Sequence, residues 1–176
     1  MKFLLKYSLL FLLAFSSLSF QQQQSFDPNT KVKAVFLYNF TKYFEWPDKM
    51  KSGNFIIQVI GSNTSLNQEL TKMTSTKQKG NQKLELIISS SLEPGLKPHI
   101  VYLLAESSDL LKDANSKYKG SGTLIITEKP GLAKQGSAIN FVVADSKLAF
   151  EYNENNAKKA GLKTGDGLNS KAIVID

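Results

Sequence analysis

Few side chains in this 176-residue sequence have the type and spacing for chemistry. His99 is the one imidazole, and an imidazole serves as general base or metal ligand. It opens an apolar run that continues to Leu104 and has no partner at a fixed spacing, so it reads first as a structural histidine with satisfied nitrogens. Gly61-Ser62-Asn63-Thr64 lies between a strand-like and a helix-like stretch. Backbone N–H groups at such a helix start hold anions. The plainer reading is an N-cap by Ser62, Asn63 or Thr64, because no GxGxxG or GK[ST] accompanies the segment. Glu45, Glu151 and Glu154 are candidate acids that spacing does not pair, and no GxSxG elbow exists. Gly61, Ser62, Asn63 and His99 are therefore the candidate ligand-binding residues, and no catalytic residue is expected.

Composition narrows the chemistry further. The chain has no Cys, which excludes disulfide scaffolds, thiolate zinc sites, iron–sulfur clusters and a thiol nucleophile. A single His excludes HExxH and multi-His metal sites. All 22 basic side chains are Lys, so no planar fork exists for phosphate, carboxylate or guanine. Neither metal nor cofactor is expected. The formal net charge is +7, with the lysines scattered rather than gathered in a stripe with aromatics. That pattern reads as a solvated surface and not as a nucleic-acid face.

The positioning elements begin with an address. Residues 1–19 carry Lys2 and Lys6, a short apolar run, and then Ser16, Ser17 and Ser19. This reads as a signal peptide cut after Ser19, and the apolar run falls short of the roughly 20 residues that span a bilayer. A retained anchor is the alternative. Cleavage removes two lysines and takes the net charge from +7 to +5. Residues 20–27, with four consecutive glutamines, read as a disordered tail, and residues 28–176 as one domain.

Within that domain, Asp27-Pro28 gives a helix start and Pro47 a stop, predicting a helix to Trp46. Residues 54–60, 83–88, 99–104 and 122–127 read as apolar strands, with helices expected over 64–73 and 107–118. Residues 138–144 and 147–152, joined by Asp145-Ser146, predict a hairpin. Asn153 caps a short helix that Gly161 ends. Residues 170–176 fit a helical turn or an edge strand equally. Strands apolar on both faces and alternating with helices predict an α/β fold: a mixed, mostly parallel central sheet, helices on both faces, and a late hairpin.

The first helix is unusually apolar. At about 100° per residue, Val32, Val35, Phe36, Leu37, Phe40, Tyr43, Phe44 and Trp46 fall in an arc of about 200°. One flank is expected on the sheet, and the rest is either deeper core or a surface for a second protein. Lys33, inside the arc, is expected to reach water.

Three stretches together resemble the YfiR family of small bacterial periplasmic proteins. The first is Lys33-Ala34-Val35-Phe36-Leu37-Tyr38-Asn39-Phe40-Thr41-Lys42-Tyr43-Phe44-Glu45-Trp46-Pro47. The second runs from Gly136 to Val142, and the third from Lys147 to Asn153 with Ala157, Ala160-Gly161-Leu162 and Leu168. The resemblance implies a non-enzymatic periplasmic regulator, often dimeric. Such a regulator binds the periplasmic domain of an inner-membrane sensor, in the best-understood members a diguanylate cyclase, and controls cyclic-di-GMP and biofilm. It makes Phe36, Tyr38, Phe40, Tyr43, Phe44 and Trp46 the partner-binding or fold-signature residues. A periplasmic small-molecule-binding sensor is the alternative. Disulfide control known in some members is excluded here, since the family's Cys-His pair is Pro98-His99.

Overall fold

A computed structural model describes residues 28–176. The signal peptide and tail expected over residues 1–27 lie outside the described residues. Helix α1 is Thr30–Tyr43, strand β1 Phe44–Glu45 and strand β2 Phe55–Ile60. Helix α2, Thr64–Thr76, leads to β3 (Gln78–Lys79) and β4 (Gln82–Ser89). Then come β5 (Ile100–Leu103), α3 (Leu111–Lys117), β6 (Leu124–Thr127), β7 (Ile139–Ala144) and β8 (Lys147–Tyr152). Helix α4 (Glu154–Lys159) and strands β9 (Lys163–Thr164) and β10 (Ile173–Val174) complete the chain.

The predicted α/β sheet forms. Its eight strands run β10-β8-β7-β6-β5-β2-β4-β3. The pairs from β4 to β7 are parallel, β7–β8 is antiparallel, and β10 adds in parallel to β8. Asp145 and Ser146 both take positive φ, as a tight two-residue hairpin turn requires. Alternate strand residues feed two cores. Ile57, Val59, Ile100, Tyr102, Leu124 and Ile126 face one side with α1 and α2. Ile60, Val101, Leu103 and Ile125 face the other, packed by Leu111, Ala114 and Tyr118. Period-two alternation with apolar residues at both parities is what a doubly covered sheet demands.

Three expectations need correction. Helix α1 stops at Tyr43, not Trp46: Phe44 and Glu45 pair antiparallel with Thr164 and Lys163 instead. That short ladder, formed with a segment 120 residues away, replaces the last helical turn. The stretch expected as one helix from 107 to 118 is a 3₁₀ segment, Ala105–Leu110, running into α3. Residues 170–176 take both options at once, with a 3₁₀ turn at Asn169–Lys171 followed by β10.

The third correction concerns Lys33, expected to reach water, and with it the buried face of α1. Its buried residues are Thr30, Lys33, Ala34, Leu37, Phe40 and Thr41, an arc of about 120° turned by about 100° from the apolar arc. Val32 and Val35 are left in solvent, 42% and 52% exposed. Lys33 does not reach water freely. Its ammonium meets Glu128 Oε2 at 2.8 Å with both side chains largely buried. The buried face of α1 thus includes a charge paired at the sheet's carboxyl end and is offset from the centre of the apolar arc.

Candidate functional site

The aromatic signature divides into two groups. Phe40, Phe44 and Trp46 are buried. Phe40 lies edge-on to Phe150 at 5.1 Å and stacks on Phe36 at 6.2 Å. Trp46 stands edge-on to Phe55 at 4.8 Å, and its indole N–H donates to the His99 carbonyl at 3.3 Å. Phe36, Tyr38 and Tyr43 are half-buried on the flanks of α1. Tyr38 lies beneath the Lys42 ammonium, 4.3 Å from its ring centre. The tryptophan and the phenylalanines beside it thus pin the helix to the sheet, and the flanks remain open to contact.

On one flank, Phe36 touches Phe141 and Phe150 of the hairpin strands at 6.0 and 5.3 Å. Beyond it the hairpin exposes Val143 by 68%. Between α1 and the hairpin lies a groove of about 630 Å³ lined by Lys33, Glu128, Pro130, Phe141, Val143 and Leu148 among others. Val32 lies one helical turn before Phe36 on α1 and is exposed. Nothing in the motif inventory pointed to Val143. The signal was the lack of alternation at Val142-Val143, which a two-faced interior strand also explains.

The groove floor carries the densest polar network. Glu128 accepts from Lys33, from the Tyr102 hydroxyl in a very short contact, and from the Ala105 N–H at 2.9 Å. Beside it Thr127 donates to Asn140 Oδ1 at 2.7 Å, and Asn140 donates to Glu151 at 2.8 Å. Glu151, one of the candidate acids, is tied into this chain. Glu45 and Glu154 are exposed elsewhere, and Glu154 pairs with Lys158. The three acids do not converge.

Gly61, Ser62 and Asn63 lie at the carboxyl end of β2, where the strand order reverses between β2 and β5. Open α/β sheets bind ligands at that position. Here a carboxylate of the chain itself is seated: the Ser62 N–H donates to Glu106 Oε1 at 2.8 Å. Gly61 takes φ +121°, and a Cβ there would lie 2.6 Å from that same oxygen. Asn63 caps α2, accepting from the Leu66 N–H at 3.0 Å.

His99 lies at the opposite strand ends, remote from these three. Its Nε2 is 2.7 Å from the Met50 carbonyl, which only accepts, so Nε2 carries the proton. Its Nδ1 accepts from the Ile56 N–H at 3.0 Å. The ring stacks on Phe55 at 4.2 Å and is buried. Burial disfavours the cation and lowers the His99 pKa, against a smaller raising contribution from the Met50 carbonyl. Protonation also costs the Ile56 hydrogen bond. The sign follows: the folded pKa lies below the unfolded value of about 6.5, so the unfolded chain binds the proton first. Stability is complete above pH 6.5 and declines as pH falls from there through the folded value. Urea midpoints between about pH 7.5 and 5 should show this slope, and His99→Gln should flatten it. An unchanged slope in the variant would place its origin elsewhere.

Fold and surface together define a small mixed α/β domain whose exposed chemistry is apolar and lysine-rich. The chain belongs to the YfiR/HmsC-like family, whose profile matches residues 30–169. No curated protein matches the chain. Family membership supports a periplasmic regulatory role in general terms, and the family's members are regulators rather than enzymes. Among the described residues no helix is long and apolar enough to cross a membrane, and no group of acids and histidines could hold a metal ion.

Proposed function

We propose that this protein is an exported regulator that docks on the extracytoplasmic domain of an inner-membrane sensor, a diguanylate cyclase or another signalling protein. The docking face is the open flank of α1 with the β7–β8 hairpin. The observation that carries the reading is the exposure of Val143 at the groove between α1 and the hairpin, together with exposed Val32 and Val35 on the helix that holds most of the family signature. Exposed apolar groups gathered beside half-buried aromatics are what an interface core uses. Phe36, Tyr38 and Tyr43 flank this surface, while Phe40, Phe44 and Trp46 hold the helix that presents it. Residues 1–19 supply the export signal and residues 28–176 the working domain.

Regulation follows from differential affinity: the protein binds the sensor's inactive state more tightly than its active one. Turning a sensor from mostly on to mostly off needs about 5.5 kcal/mol of such preference. The test is Val35→Asp combined with Val143→Asp. Both positions are solvent-exposed, so the melting temperature should hold within a few degrees. Binding to the extracytoplasmic segment of the sensor encoded beside this gene, measured by calorimetry, should weaken about tenfold or more. Equal binding by the folded double variant would refute this face. A change in self-association alone would assign it to a homodimer.

A further inference from the structure

We propose that a second cleft, at the amino ends of β2, β5 and β6, is a binding site for a small aromatic monocarboxylate. The cleft measures about 600 Å³ and lies at the end of the sheet away from Gly61 and Glu128. Its size falls within the range of small-molecule sites, about 300–1,000 Å³. Met50, Ile56, Leu96 and the rings of His99 and Tyr118 give it apolar walls suited to a flat ring.

Its polar groups select the charge. Lys49, Lys97 and Lys117 line it, and no Asp or Glu does. Lys117 donates to the Leu92 and Glu93 carbonyls, whereas Lys49 and Lys97 make no ion pair or hydrogen bond among the described residues. Of the other polar side chains, Ser52 is exposed, Asn54 donates to Glu85 Oε2 at 2.9 Å, and the remainder are committed inward. Thr123 donates to the Pro98 carbonyl and Ser121 to the Tyr118 carbonyl, each at 2.7 Å. Both His99 nitrogens are bonded to backbone. Two uncommitted ammonium groups beside apolar walls therefore call for an anion with an apolar body.

Tyr118 supplies a second observation. Its side chain is 4% exposed, and its hydroxyl is buried with no hydrogen-bond partner. Burial, and the Glu93 carboxylate nearby, hold the phenol above its ordinary pKa, so it remains a donor that lacks an acceptor. A carboxylate is an acceptor only. The same surroundings argue for a single negative charge. The carbonyl end of α3, closing at Lys117, and the Glu93 carboxylate both disfavour a dianion. Without Arg there is no fork to hold a phosphate in two-point fashion. This site is independent of the docking face, and its failure would leave that reading intact.

The test is a titration of the ¹⁵N-labelled protein with phenylacetate, phenylacetamide and phenyl phosphate, followed by amide shifts. Phenylacetate should saturate below about 10 mM, with shifts confined to residues 49–56, 95–99 and 117–123. Phenylacetamide should bind at least about fivefold more weakly, and Lys49→Gln with Lys97→Gln should cost phenylacetate a similar factor. Tyr118→Phe should weaken phenylacetate binding, and equal binding by that variant would overturn the role given to the hydroxyl. Shifts outside these segments, equal affinity for acid and amide, preference for phenyl phosphate, or no saturation would each overturn the proposal. Unchanged amide positions elsewhere in the spectrum of each variant show that it is folded.

Discussion

Phe40→Ala should lower the unfolding free energy by about 3–5 kcal/mol, enough to consume much of the stability of a domain this size. The side chain is fully buried and meets three rings, those of Phe36, Phe141 and Phe150, at 5.1 to 6.2 Å. These belong to α1, β7 and β8, so one truncation opens a cavity where three elements meet. Phe40→Leu keeps most of the volume and should cost only about 1–1.5 kcal/mol. Urea unfolding followed through the single tryptophan, Trp46, measures both. A loss below about 1 kcal/mol for the alanine variant would mean that the helix repacks, and that α1 is not fixed by this aromatic contact.

Glu128→Ala should be comparably severe, at about 3–5 kcal/mol, for a different reason. Its carboxylate is a shared acceptor for the Lys33 ammonium, the Tyr102 hydroxyl and the Ala105 N–H. Deletion removes an acceptor from three donors at once, and a mostly buried cation loses its counter-charge. Glu128→Gln retains an acceptor and should lose roughly half as much. Exchanging both partners, Lys33→Met with Glu128→Gln, should recover part of the deficit, because no unpaired charge is then buried. Thermal and urea unfolding of the wild type, Lys33→Met, Glu128→Gln and the double variant closes the cycle. Additive losses would show that the pair is uncoupled.

The rotation of α1 shows where a sequence reading ends. The apolar residues of α1 cover too wide an arc for the pattern alone to choose a face. The face that is buried includes Lys33, whose partner lies 95 residues away. The helix end was misplaced for a similar cause: Pro47 was read as the stop, while Phe44 and Glu45 leave the helix to pair with Thr164 and Lys163. Both outcomes turn on contacts between distant segments, which local spacing does not encode. The candidate ligand residues show the same split. Ser62 meets Glu106 at one end of the sheet and His99 meets Met50 at the other, so the two alternative ligand positions lie at opposite strand ends, which the sequence does not show.

By itself the sequence determined the α/β class, the two-faced strands, the hairpin at Asp145-Ser146 and the family, because strand alternation, turn chemistry and signature spacing are local properties. Only the tertiary structure decided which flank of α1 stays in solvent, that Val143 stands beside it, and that unpaired lysines gather around the Tyr118 cleft. Burial of a charge and exposure of a valine are settled by the whole packed arrangement, in which contacts between distant segments add to the helix's own hydrophobic preference.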